Sequence, residues 1–291
     1  MIKLSVQVSY KKQVTLGIIG VTILLLAIEI IANVWWATQI HCEFEQNEIF
    51  QNFDEVEKRQ LCLDFYNLKT SGDEIIPNQS TNSITINSLG FRGTEFFVIK
   101  PSDTYRIFMI GGSTMFGAGA TSDETTIPGY VQQFLNENNP KFDVEVINAG
   151  IQGADSNEEL KLIEQKLIKF SPDLIIIYDG LNDYKHTDVD NTIQNWNHVC
   201  KLGKNEGFDT IIIVQPLPST GHRVLTVQEI NSFPLLMSGY IELPYVEISQ
   251  QYVDAFEELD KICTKTADFR IIFDYIHEPI FWDSGHTISF G

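Results

Sequence analysis

Two groups of residues in this 291-residue chain could do nucleophilic chemistry together: a serine preceded by two glycines, and a histidine three positions after an aspartate. Ser113 ends an apolar run in RIFMIGGSTMFGAGA, residues 106–120, and His286 lies with Asp283 in FWDSGHTISFG. A serine hydroxyl is a weak nucleophile until a base within hydrogen-bond reach takes its proton and a third group orients that base. The three-residue spacing lets Asp283 and His286 face one cleft, with Asp283 fixing the tautomer of the imidazole. Of the six histidines, His286 combines a nearby carboxylate with an otherwise loop-like segment. His186, close after Asp183, is the rival base, and His277 is expected to pack beside the last strand.

The glycines around Ser113 admit other readings, and each needs residues that are absent. A phosphate-binding loop needs Gly-x-x-x-x-Gly-Lys followed by Ser or Thr; Gly112 and Gly117 have the glycine spacing, but Ala118 and Gly119 follow them. A dinucleotide fingerprint starting at Gly117 fails at Ser122, and the nucleophile elbow Gly-x-Ser-x-Gly fails at Met115. What remains is a serine at a strand-to-loop turn, where Gly111 and Gly112 leave room for its N–H and hydroxyl to face one site.

Such a turn must be held by a strand, and the surrounding sequence alternates strand and helix patterns. YRIFMIGG, DVEVINAG, PDLIIIYDG, DTIIIVQP and FRIIFDY read as strands; TTIPGYVQQFLNEN, NEELKLIEQKLIKF, TIQNWNHVCKLGKN and SQQYVDAFEELDKICTKTA read as helices. PDLIIIYDG has the continuous apolar run of a strand buried on both faces. The pattern predicts a three-layer α/β/α sandwich with a mainly parallel sheet of about five strands. Ligands of such sheets bind outside the carboxyl ends of the strands. There the chain places four polar clusters, at residues 111–114, 148–153, 179–183 and 283–286.

In their order these clusters resemble the four blocks of the SGNH hydrolase superfamily, also called GDSL esterases/lipases. IGGSTMFG matches the first block, which implies that Ser113 is the nucleophile. NAGIQG matches the Asn-x-Gly-x-x-Gly block, with Gly153 as the oxyanion-hole glycine, and GLND matches Gly-x-Asn-Asp, with Asn182 as a side-chain donor. DSGH matches Asp-x-x-His, making His286 the base and Asp283 its partner. The resemblance covers residues 88–291 and implies a flavodoxin-like fold and carboxylic ester chemistry without cofactor or metal. Gly112, Asn148, Gly180 and Asp183 would support the site. The first block of the family usually reads Gly-Asp-Ser-Leu; here Gly112 and Thr114 flank the serine, a variant that bears on substrate more than on chemistry. The chain also stops five residues after His286, where a closing helix is expected.

In the implied reaction His286 takes the proton of Ser113, which attacks an ester carbonyl. The N–H groups of Ser113 and Gly153 and the Asn182 amide hold the resulting oxyanion. Water as acceptor gives an esterase and an acceptor hydroxyl gives an acyltransferase; the sequence leaves both open. A non-catalytic surface or assembly protein that keeps the fold is the alternative class.

The N-terminus belongs to none of this. Residues 14–40, VTLGIIGVTILLLAIEIIANVWWATQI, carry Glu29 as their one charge and are long enough to cross a bilayer as a helix. Lys3, Lys11 and Lys12 precede this span, which predicts a cytoplasmic tail at residues 1–13 and everything after the span outside, with Trp35 and Trp36 at the outer interface. The span runs into WWATQIHC rather than a small-residue cleavage site, so retention as an anchor is expected. Residues 41–88 read as a stalk or cap, and 89–291 as the hydrolase-like domain. Setting aside Lys3, Lys11, Lys12 and Glu29 leaves 17 basic and 38 acidic residues, a surface unsuited to nucleic acid. The acyl ester would be carried by a glycan, a lipid or a small molecule. Four cysteines outside the membrane can form disulfides. Cys42 with Cys62 is the preferred pair, which leaves Cys200 and Cys263 as a second bridge or as buried thiols.

Overall fold

The computed structural model describes residues 9–39, 47–71, 74–138, 143–232, 242–283 and 285–288. The chain divides into two compact units, Met1–Cys42 and Glu43–Gly291.

The first unit holds helix α1 (Tyr10–Gln39). Its 30 residues make a rod of about 45 Å at 1.5 Å per residue. Within Tyr10–Trp36 the mean hydropathy reaches 2.6, and none of that stretch is buried by protein. Length and composition therefore suffice to cross a bilayer, as they would for a signal sequence.

In the second unit five parallel strands form the sheet: β1 (Thr104–Gly111), β2 (Asp143–Asn148), β3 (Leu174–Asp179), β4 (Asp209–Val214) and β5 (Lys265–Asp268). Their order is β2-β1-β3-β4-β5, so the direction of winding reverses between β1 and β3. That switch point is where doubly wound sheets open a crevice. Alternation along the strands builds the core on both faces. Phe108 and Ile110 of β1, Ile175 and Ile177 of β3, and Ile212 and Val214 of β4 join one cluster with Ile163, Trp196 and Tyr252. Ile107, Met109, Tyr178 and Ile213 point the other way, and Ile127, Val131 and Leu135 pack against them.

The helices that cover these faces start where local chemistry permits. After the short α2 (Glu55–Tyr66) and α3 (Ser113–Phe116) come α4 (Ile127–Asn138) and α5 (Ser156–Gln165). Helix α5 begins in a capping box, with Asp155 accepting from the chain ahead of it and Glu158 reaching back. Next are α6 (Leu181–His186) and α7 (Val189–Glu206), then α8 (Val227–Ser232) and α9 (Glu242–Asp254). Helix α7 is capped by Asp188 and ends at Gly207 in the left-handed conformation.

The fifth strand is displaced from its expected place. FRIIFDY predicts a strand at residues 269–275 and a helix through residue 267, whereas the ladder is made by Lys265–Asp268, and residues 270–275 are turns with Ile271, Ile272 and Tyr275 exposed. Two tertiary ties select the earlier register. Cys263 is bridged to Cys200 on α7, and Asp260 Oδ1 accepts from both Thr266 N and Thr266 Oγ1 at 2.9 Å. The Cys200–Cys263 bridge thus resolves the alternative between disulfide and buried thiols. The Cys42–Cys62 pairing involves Cys42, which lies outside the described residues.

Candidate active site

Strand β1 delivers Ser113 to the carboxyl edge of the sheet. Gly112 precedes α3, and a Cβ there would stand 2.3 Å from Asn182 Nδ2, so a larger residue would make the Asn182 amide shift. As the first residue of α3, Ser113 has an N–H with no acceptor inside the helix. Neither that N–H nor the one of Gly153 donates to another group among the described residues. The Ser113 hydroxyl lies 2.6 Å from His286 Nε2.

His286 is held on its other side. Its Nδ1 stands 2.6 Å from Asp283 Oδ2, and Asp283 Oδ1 accepts from Gly285 N at 2.8 Å and His286 N at 2.7 Å. With Nδ1–H given to the carboxylate, Nε2 is the acceptor left for the serine hydroxyl. Burial opposes ionisation of Asp283, but hydrogen bonding to His286, its charge and the two N–H groups outweigh it and hold the carboxyl below its ordinary range. Thr114 Oγ1 donates to Gly285 O at 3.1 Å, tying the serine turn directly to the histidine loop.

The middle clusters lock onto one another at the same edge. Asn182 Nδ2 donates to Ala154 O at 2.8 Å, and Asp183 Oδ1 accepts from Ser156 N at 3.0 Å and Thr192 Oγ1 at 3.1 Å. The loop carrying Gly153 is therefore pinned by two consecutive residues of α6. Gly180 opens that helix at φ +137°, a conformation open to glycine and strained for other residues. Asn148 donates to Phe116 O at 3.1 Å and accepts from Gly150 N at 3.0 Å, fastening the second cluster to the end of α3.

Behind Asp183 lie two more buried carboxyls, Asp179, which opens the polar cluster at 179–183, and Glu159, which the sequence pattern left unremarked. Burial, with Asp179 and Asp183 as neighbours, pushes Glu159 well above the usual carboxylate range, and burial with Asp183 nearby does the same to Asp179. Trp196 Nε1 donates to Asp179 at 2.8 Å. A group whose folded pKa is raised contributes stability that is complete below its unfolded value and is lost as pH rises towards the folded one, at about 1.4 kcal/mol per pH unit for one proton. Glu159→Gln removes that loss. The variant is expected to gain on the parent in urea melts as pH rises from 5 to 9; a constant difference over that range would refute the assignment.

Other supporting residues were also missed. Fully buried Glu229 on α8 accepts from Ile280 N and Phe281 N at 2.9 and 3.0 Å and pairs through both oxygens with Arg223. It thereby anchors the chain just ahead of Asp283. Arg92, in GFRG, donates to Phe116 O and Gly117 O and bonds Asp123 at 2.8 Å, holding the end of α3. No local spacing marked these roles. The side chain of His186 lies outside the described residues. His277 does not pack beside a strand: it is exposed in the loop after β5, because that strand ends at Asp268.

No curated relative matches the chain. Among solved structures, a catalytic mutant of Axe2, an acetylxylan esterase from Geobacillus stearothermophilus, is 17% identical at a TM-score of 0.47, covering 63% of this chain and 86% of that one. The acetyl xylan esterase AlAXEase is 16% identical at 0.47, over 62% and 91% of the two chains. AlinE4, described as an SGNH-hydrolase family esterase, is 15% identical at 0.43, over 62% and 82%. The model of the GDSL-like lipase/acylhydrolase family matches residues 109–264, more than half of the chain, spanning the serine turn and both middle clusters. On that match, the chain belongs to the GDSL-like lipase/acylhydrolase family, the SGNH ester hydrolases.

Proposed function

We propose that the protein is a serine esterase anchored by α1, with its second unit outside the membrane, acting on an acyl ester of a surface glycan or lipid. The observation that carries the chemistry is the pair of 2.6 Å contacts linking Ser113, His286 and Asp283. In this reading His286 Nε2 takes the Ser113 proton as the hydroxyl oxygen attacks the ester carbonyl. Asp283 stabilises the imidazolium that forms. The Ser113 and Gly153 N–H groups and the Asn182 amide receive the oxyanion, and Asn182, Gly153 and Ser113 stand at neighbouring strand ends tied by the bonds described above. His286 then gives its proton to the departing alkoxide, and an acceptor oxygen releases the acyl group by the same steps reversed. The Gly-Gly-Ser-Thr form of the serine turn is part of this proposal: without a side chain at Gly112 the Asn182 amide comes within 2.3 Å of where a Cβ would stand.

A fluorophosphonate probe should label the full-length chain at Ser113, with p-nitrophenyl esters of increasing acyl length reporting turnover. A folded protein that neither labels nor turns over acetyl esters would favour a non-catalytic assembly role. Adding an acceptor sugar or glycerol separates the two enzymes: transfer yields a new ester, hydrolysis yields free acid. For the oxyanion site, Asn182→Ala is expected to lower kcat about 10²- to 10³-fold with a smaller effect on KM. A loss below about threefold would remove Asn182 from that role.

A further inference from the structure

His286 is fixed in its ring plane by Asp283 on one nitrogen and Ser113 on the other. Out of that plane it is covered by Trp282, whose ring is stacked on the imidazole with centroids 4.8 Å apart and planes 12° from parallel. Trp282 is 5% exposed and is itself gripped by residues far away in the chain. Asn47 Nδ2 donates to Trp282 O at 2.6 Å across 235 positions, and Phe50 sets its ring edge against the indole at 5.9 Å. Asn47 and Phe50 are buried, at 8% and 1% exposure. The other end of the Asn47 amide is also engaged: Oδ1 accepts from Ile49 N at 3.0 Å and from Ser232 Oγ at 2.8 Å.

We infer that residues 47–50, read from sequence as part of a stalk or cap, are a positioning part of the active site that sets His286 through Trp282. The Asn47 bond falls on the carbonyl of the peptide joining Trp282 to Asp283, so it orients the carboxylate loop as well as the indole. Hydrogen bonds lying in the imidazole plane restrain tilting weakly, whereas a stacked ring opposes it directly. A displacement of about 1 Å in such a constellation costs about 10²-fold in rate. The segment follows α1 by only seven residues in sequence.

The test uses the full-length chain and the rate of fluorophosphonate labelling at Ser113, with kcat and KM on a p-nitrophenyl ester. Asn47→Asp keeps the acceptor for Ile49 and Ser232 and the helix-capping chemistry, but it loses the donor to Trp282 O. It is expected to lower kcat and labelling about tenfold, with KM held within about twofold. Trp282→Leu should show the same split, Trp282→Phe should recover most of the rate, and the Asn47→Asp/Trp282→Leu double variant should be no slower than the slower single. Wild-type labelling rates in Asn47→Asp or in Trp282→Leu would overturn the inference, and so would losses that multiply in the double variant. If Asn47→Asp fails to fold, the comparison of Trp282→Leu with Trp282→Phe and Phe50→Leu decides, equal rates in all three being fatal. The inference rests on Ser113 being the nucleophile. Failure of the parent chain to label would sink that reading, whereas equal labelling of parent and Asn47→Asp sinks only this one.

Discussion

Ser113→Ala is expected to abolish fluorophosphonate labelling and to lower kcat by about 10⁶-fold, leaving only what the oxyanion donors and substrate binding supply. The size follows from cooperation. With the hydroxyl gone, His286 has no proton to accept at 2.6 Å, and its hydrogen bond to Asp283 no longer serves a nucleophile. Stability should change little, because the Ser113 hydroxyl has one described partner and the turn is shaped by its glycines and by the Thr114 bond to Gly285 O. Turnover under saturating ester, beside a thermal melt, checks both statements. Retention of more than a tenth of the parent kcat would place the nucleophile elsewhere.

The second large effect concerns tautomer rather than nucleophile. In Asp283→Asn the amide oxygen can still accept the Gly285 and His286 N–H groups, so the turn survives. The amide nitrogen then faces His286 Nδ1 as a donor. The imidazole is driven to carry its proton on Nε2, facing Ser113, and has no lone pair there for the hydroxyl proton. A loss of about 10⁴-fold in kcat is expected, with an unchanged melt. A loss under about tenfold with the fold intact would show that Asp283 does not orient the base, and a loss accompanied by unfolding would assign it to loop stability instead.

Most of the architecture was legible in the chain because its signals are local. Strands buried on both faces announce themselves as continuous apolar runs such as LIIIYD, and helices between them as runs with a period near 3.6. The five-stranded parallel sheet follows from that alternation. Three of the polar clusters were legible for the same reason, each sitting at the end of a strand pattern, while the fourth, residues 283–286, lies well beyond the last strand; the structure brings Ser113, His286 and Asp283 within bonding distance. Asn182 and the Gly153 loop converge beside them through the Ala154 and Ser156 contacts.

The sequence by itself determined the layer order, the ends of the first four strands and the residue types that could react. Only the tertiary structure decided which segment became the fifth strand, because FRIIFDY has the better strand composition but the Cys200–Cys263 bridge and Asp260 hold Lys265–Asp268 against β4. The same holds for the supports of the histidine loop. Glu229 reaches Phe281 across 52 positions, and Asn47 reaches Trp282 across 235. Local periodicity carries no information at such separations; the packed core alone brings these groups within hydrogen-bond range, where burial makes a satisfied polar atom worth holding.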